Sequence, residues 1–148
     1  MRRTAKVLVA AALMVVLSAG AAVAVSLTGT PERDVLDGAG GGDTISGRGG
    51  FDTLHGKGGR DTVRGGSGTD EVNGGVGADA VYGNGGDDYL IDSSDGDRDF
   101  LYGGPGGDDV QVRDFPAVED VVYCGDGRDT AYVDRLDEVH GCEIVRLP

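Results

Sequence analysis

Bulky aromatic residues are scarce in this chain of 148 residues, which has no tryptophan and three phenylalanines. Aromatic side chains supply much of the buried area of globular cores, so this composition cannot fill a wide core. Positive charge is scarce too, because 13 lysines and arginines stand against 26 aspartates and glutamates, giving a formal net charge of −13. Nucleic-acid binding needs a basic surface, which this chain lacks. The acidity favours cations as partners.

Recognisable catalytic motifs are also missing. The sequence contains no GxSxG nucleophile turn, no HExxH zinc motif and no phosphate-binding GxxxxGK[ST] loop. Carboxylates are abundant, but we interpret them as metal ligands rather than as acid–base groups. The sequence therefore predicts that the chain is not an enzyme.

The first residues are typical of a secretory signal peptide. Arg2, Arg3 and Lys6 form a positive segment, and an apolar stretch follows from residue 7 to about residue 17. Ala22 and Ala24 are small residues at the spacing that a signal peptidase requires. We predict a signal peptide over residues 1–24, with cleavage after Ala24, or after Ala21 as second choice. The predicted location is extracellular. The alternative is an uncleaved membrane anchor, because weak apolarity continues to Leu27.

The chain has two cysteines, Cys124 and Cys142. An exported protein meets oxidising conditions, in which an even pair of cysteines favours a disulfide. We therefore expect a disulfide between them. Two free thiols and a metal-binding pair are the alternatives. No CxxC lies nearby and His140 is the one neighbouring histidine, which argues against zinc.

An aspartate recurs every nine residues through the middle of the chain, with two longer intervals near its end. The series is Asp34, Asp43, Asp52, Asp61, Asp70, Asp79, Asp88, Asp99, Asp108, Asp120 and Asp129. Two residues after each aspartate comes a small or aliphatic residue: Leu36, Ile45, Leu54, Val63, Val72, Val81, Leu90, Leu101, Val110, Val122 and Ala131. A glycine stands two residues before most of them. A fixed short period indicates a repeat architecture.

Each nine-residue unit has a glycine-rich half, which predicts a turn, and a half with β-branched residues, which predicts a very short strand. One such unit cannot bury its own aliphatic residue, whereas stacked units can. We therefore predict an all-β fold, a parallel β-solenoid in which two units form one coil. We place it at residues 25–132. Residues 133–148 break the pattern and are predicted to cap the last coil, with Ile144, Val145 and Leu147 laid over it.

The repeated pattern resembles the RTX, or hemolysin-type, calcium-binding nonapeptide GGxGxDxUx, and the resemblance extends from about Gly29 to Tyr132. It implies a parallel β-roll with several calcium ions held between turns of adjacent coils. The implied carboxylate ligands are Asp43, Asp52, Asp61, Asp70, Asp79, Asp88 and Asp108. The implied carbonyl ligands belong to the glycine turns, with the backbone of Gly40, Gly49, Gly58 and Gly85 as the named candidates.

Calcium takes six to eight oxygen ligands, and two facing turns supply more of them than one turn can. Stacked aspartates repel one another until a divalent ion lies between them, so we expect folding to be coupled to calcium binding. Asp99, Asp120 and Asp129 flank irregular turns, where ligation and turn capping are equally weighted. The segment from Asp95 to Asp99 is interpreted as an enlarged turn that could hold an extra weak site.

The sequence allows two other functions. The first is an extracellular adhesive or surface-binding solenoid in which calcium is purely structural, and a row of threonines on one face would favour it. Thr44, Thr53 and Thr62 make a short row that Glu71 and Ala80 interrupt. The second is a disordered acidic calcium buffer, since low hydrophobicity with high net charge is typical of disorder. The sequence points to no macromolecular partner.

Overall fold

The computed structural model describes residues 22–92, 95–112, 114 and 117–148. All the regular secondary structure assigned within these residues is β-strand. Most of the predicted signal peptide, residues 1–21, lies outside the described residues, and its cleavage stays a prediction. Within the described part of the chain, no helix is long and apolar enough to cross a membrane.

The strands alternate between two seven-stranded sheets. Sheet A contains β1 (Ser26–Thr28), β3 (Thr44–Gly49), β5 (Thr62–Ser67), β7 (Ala80–Gly85), β9 (Phe100–Pro105), β11 (Val121–Asp126) and β13 (Glu138–His140). Sheet B contains β2 (Val35–Asp37), β4 (Thr53–Gly58), β6 (Glu71–Val76), β8 (Tyr89–Ile91), β10 (Asp109–Gln111), β12 (Thr130–Tyr132) and β14 (Ile144–Arg146).

From β1 to β12, each strand pairs in parallel with the strand two places further along the chain. In sheet A, Ile45 of β3 lies beside Val63 of β5, and in sheet B, Leu54 of β4 lies beside Val72 of β6. Each of these offsets is twice the nine-residue period, so one unit contributes a strand to sheet A and the next unit contributes one to sheet B. The predicted β-solenoid with two units per coil is confirmed.

The core is a narrow column of aliphatic side chains between the two sheets. All eleven residues that the period placed inside are buried, from Leu36 to Ala131. Val112, Val133 and Cys124 are buried as well, at positions where regular units have glycine. Each coil adds one aliphatic side chain from each sheet to the column, which is why a chain with no tryptophan and three phenylalanines can fill it.

The strands extend further than the sequence predicted. We expected each glycine-rich half to be a turn, but β3 to β7 are six residues long and include the first glycines of the following unit. The small glycines allow adjacent coils to approach and continue their backbone pairing. In sheet B the strands shorten to three residues at β8, β10 and β12, each of which is followed by an irregular turn.

The last residues add two more strands to the stack. β13 pairs with β11 and β14 pairs with β12, and a disulfide joins Cys124 to Cys142 with a Cα–Cα distance of 5.2 Å. The expected apolar cover over the last coil is not formed by its named residues, because Val145 and Leu147 are 47% and 54% exposed. Val145 pairs with the inward-facing Ala131, and it stays exposed because β14 is the last strand of sheet B among the described residues.

The outer face of sheet A carries a stack of rings. Tyr82, Tyr102, Tyr123 and His140 lie one above another with centroid separations of 4.9, 5.2 and 4.6 Å. The threonines form no comparable row, because Thr44 and Thr62 belong to sheet A whereas Thr53 belongs to sheet B.

Candidate metal sites

The turns at the two edges of the solenoid each align a column of aspartates. We call the first the A-to-B ladder, because its turns lead from sheet A to sheet B; it contains Asp34, Asp52, Asp70, Asp88, Asp108 and Asp129. The second is the B-to-A ladder, which contains Asp43, Asp61, Asp79, Asp99 and Asp120. Each aspartate directly precedes a strand, so the strand register brings successive members of a ladder into line.

Within each ladder, the side chain of one aspartate binds the backbone of the aspartate one coil earlier. Oδ1 of Asp61 accepts a hydrogen bond of 2.7 Å from the N–H of Asp43, and Oδ1 of Asp79 accepts one from the N–H of Asp61 at the same distance. The pattern crosses the irregular coils, where Oδ1 of Asp129 accepts the N–H of Asp108 at 2.7 Å. One carboxylate oxygen of each such residue is therefore already satisfied.

The second carboxylate oxygen has no partner. Oδ2 is buried without a hydrogen bond in nine ladder residues: Asp52, Asp61, Asp70, Asp79, Asp88, Asp99, Asp108, Asp120 and Asp129. A buried polar atom that lacks a partner is costly, and more so when it belongs to an anion. The two ladders thus present rows of unpaired oxygen ligands just inside the glycine turns.

The environment favours the neutral form of these carboxyls. Burial raises the pKa of Asp79 and of Asp88 to about 7, and it raises that of Asp108 to about 6. In all three, hydrogen bonds from the backbone of the preceding coil act in the opposite direction, and neighbouring aspartates add to the rise. Binding a proton or a cation removes this electrostatic cost, because each neutralises the buried charge.

Glycine is required where the carboxylate meets the turn. A Cβ added to Gly65 would lie 2.6 Å from Oδ2 of Asp70 and 2.8 Å from the carbonyl oxygen of Gly83. Further round the turn, Gly68 has a φ of 126°, a conformation that residues with a side chain avoid. The glycine positions therefore hold the backbone of each turn close to the unpaired carboxylate oxygen.

The predicted ligand residues are distributed between both ladders. Asp43, Asp61 and Asp79 belong to the B-to-A ladder, and Asp52, Asp70, Asp88 and Asp108 belong to the A-to-B ladder. A Cβ added to Gly40 would meet nothing within 4 Å, and one added to Gly58 or Gly85 would have its nearest neighbour at 4.0 Å. A Cβ added to Gly49 would lie 3.0 Å from the Ser67 hydroxyl. Calcium ligation by these residues and by their backbone stays a prediction.

The structure adds ladder members that the period alone did not mark. Oδ1 of Asp137 accepts the N–H of Asp120 at 3.2 Å, and Oε2 of Glu143 accepts the N–H of Asp129 at 2.8 Å. Their spacing departs from nine residues, so the repeat pattern gave no signal for them. The repeat pattern also gave no signal for Asp92 as a buried carboxylate, because this residue replaces a glycine of the repeat.

The donor set fits calcium. Every unpaired ligand atom in the ladders is an oxygen, the ligand type that hard cations prefer, and calcium accepts irregular geometry from carboxylates and carbonyls together. The sequence model of the RTX calcium-binding nonapeptide repeat (4 copies) matches residues 26–54 and 55–90. The chain carries RTX calcium-binding repeats. Its RTX repeats form the first coils of the solenoid, and the later, irregular coils continue the same stack. Comparisons with the curated proteins and with the solved structures gave no match.

Proposed function

We propose that this chain is an exported, non-enzymatic β-roll that binds several calcium ions between its stacked turns and folds as it binds them. The RTX repeats support calcium as the partner. The ligands would be the ladder aspartates, with backbone carbonyls of the glycine turns completing the coordination. The bound ions would supply charge neutralisation and cross-linking between coils.

One observation carries this proposal: nine ladder aspartates are buried, and each keeps one oxygen without a partner. Successive coils are separated by about 4.8 Å, the spacing of paired strands. Carboxylates at that distance repel by about 1 kcal/mol per pair in water and by a few kcal/mol at an effective dielectric near 20. Without cations this repulsion accumulates along both ladders, whereas a divalent ion between two carboxylates replaces it with attraction.

Export is supported by the amino-terminal sequence and by the disulfide. Arg2, Arg3 and Lys6 followed by an apolar stretch are typical of a secretory signal, and a disulfide such as Cys124–Cys142 persists in oxidising compartments. Calcium is abundant outside cells, so a chain that folds only with calcium would fold after export. The threonines, divided between two sheets, do not favour the surface-binding alternative.

Far-UV circular dichroism of the chain in EDTA and in millimolar calcium tests the coupling. We expect a β-sheet spectrum with calcium and its loss in EDTA, with millimolar magnesium as the control for ionic strength and charge. Calorimetric titration in parallel distinguishes the disordered buffer, which would bind weakly and without gain of structure. Identical β spectra with and without calcium would refute coupled folding.

A further inference from the structure

The solenoid departs from its repeat at Asp92. Four residues after the ladder aspartate, each of the six preceding units has a glycine: Gly38, Gly47, Gly56, Gly65, Gly74 and Gly83. Asp92 takes this position in the unit that begins the enlarged turn. Since β6 and β8 pair Asn73 with Ile91, Asp92 follows directly where Gly74 lies one coil earlier. A carboxylate is thereby introduced at the place where regular coils expose only backbone.

Three buried carboxylates meet at this point. Asp92 is 7% exposed and neither of its side-chain oxygens has a hydrogen-bond partner, while Asp79 and Asp99 are 1% and 0% exposed and each has an unpartnered Oδ2. One ligand oxygen from each of the three residues lies within 4.8 Å of the others. This separation is suited to a single cation bridging all three side chains.

The other acidic residues of the enlarged turn are used differently. Oδ2 of Asp95 accepts the N–H of Gly77 at 2.7 Å, and its Oδ1 accepts the N–H of Asp97 at 2.9 Å. Asp97 itself is exposed. Asp95 therefore ties the enlarged turn to the coil before it. The backbone N–H of Asp92 donates to the carbonyl oxygen of Gln111 at 3.0 Å, but neither of its side-chain oxygens has a partner that would account for their burial.

The electrostatics of the three carboxyls favour a positive charge among them. Burial is the main cause of a raised pKa at both Asp92 and Asp99, and Asp99 raises that of Asp92 further through its own negative charge. Three buried carboxylates this close cannot all stay ionised without a counter-charge. A hard divalent cation satisfies all three at once, while a proton satisfies one pair.

We propose that Asp92 joins the ladder residues Asp79 and Asp99 in one three-carboxylate site for a hard divalent ion such as calcium. The site goes beyond the proposed function because it depends on a residue that no regular repeat supplies, and Asp92 lies outside the matched residues 26–90. Three carboxylates give it more negative charge than a turn whose other ligands are carbonyls, and calcium affinity rises with the number of charged ligands.

Calcium binding to the full chain, measured by equilibrium dialysis over a range of calcium concentrations, tests the site with three variants. Asp92→Asn removes the charge at constant shape, and Asp97→Asn removes one charge from the exposed side of the same turn as the matched control. Asp92→Gly restores the residue of the regular repeat, so it keeps a foldable turn if the asparagine variant does not fold. Circular dichroism checks that each variant is folded.

We expect one ion per chain to bind about tenfold or more weakly in both Asp92 variants than in the wild type, because calcium affinity rises with the number of charged ligands, and Asp97→Asn to bind like the wild type. Identical binding curves for the wild type and a folded Asp92 variant would overturn the role of Asp92 while leaving the repeat sites intact. An equal loss in Asp97→Asn would also overturn it, because a general charge effect would then explain the change. A wild type that binds no calcium would instead refute the proposed function, and the three-carboxylate site with it.

Discussion

The backbone N–H of Asp52 donates a hydrogen bond of 2.8 Å to Oδ1 of Asp70, which lies one coil further along the solenoid. The same carboxylate leaves Oδ2 buried and unpaired. One side chain therefore joins two coils through its first oxygen and offers the second to a cation. This division of roles means that losing the charge and losing the hydrogen bond have separate consequences.

Replacing Asp70 with asparagine separates these consequences. The amide oxygen can still accept the N–H of Asp52, but the charged ligand is gone. We expect Asp70→Asn to require more calcium for folding than the wild type, by about tenfold or more, since calcium sites depend on ligand charge. In EDTA we expect no loss of structure relative to the wild type. The measurement is a calcium titration followed by circular dichroism.

Glu71→Gln is the matched control for Asp70→Asn. It removes one negative charge from the adjacent position, whose side chain is exposed. Its calcium midpoint should be close to that of the wild type. If the two variants shift the midpoint equally, the effect comes from overall charge and the buried ladder has no special role.

Without metal, the protein should become more stable as the pH falls from 8 to about 5.5. The folded-state pKa is raised to about 7 in Asp79 and Asp88 and to about 6 in Asp108, above the unfolded value of about 3.9. The folded state therefore binds more protons between about pH 4 and 7, and its stability decreases as the pH rises through that window. Circular dichroism in EDTA at several pH values measures this change; more β structure at pH 8 than at pH 5.5 would contradict it.

Gly65→Ala should destabilise the folded state by roughly 1–3 kcal/mol, the usual cost of overpacking. The added methyl group would lie 2.6 Å from Oδ2 of Asp70 and 2.8 Å from a backbone oxygen that cannot easily move. Gly40→Ala is the control, because nothing lies within 4 Å of a Cβ there. Urea unfolding in calcium compares the two; equal effects would show that the close approach at Gly65 is not required.

The Cys124–Cys142 disulfide should stabilise the carboxy-terminal end of the stack. It closes a segment with a sequence separation of 18, which corresponds to about 3 kcal/mol in the chain-entropy model. We expect a Cys124→Ser, Cys142→Ser double variant to lose that stability. Hydrogen exchange should increase first in β11 to β14, and faster exchange spread evenly over all coils would argue against a local role.

The period of the sequence was sufficient to predict the architecture. A nine-residue repeat with one inward aliphatic residue leaves few ways to bury that residue, so the strand offset of 18 between Ile45 and Val63 followed from it. The period also placed the aspartates at the ends of turns, because each of them directly precedes a strand.

Features that depend on contacts between coils were not predictable from the period. The hydrogen bond from the N–H of Asp108 to Oδ1 of Asp129 crosses a coil of irregular length. The sequence does not indicate which carboxylate oxygen accepts it. The spacing also concealed Asp137 and Glu143, whose turns differ in length from the repeat. Asp92 appeared as one more acidic residue in a loop, and only its burial beside Asp79 and Asp99 separates it from exposed Asp97.

A crystal structure of the chain grown in millimolar calcium, with the ions located by anomalous scattering, tests the central claim most directly. The account predicts ions between adjacent coils along both ladders, each bound by the oxygen that is unpaired in residues such as Asp61 and Asp70. Well-ordered ladders with those oxygens free of metal, or with the carboxylates turned towards solvent, would contradict it.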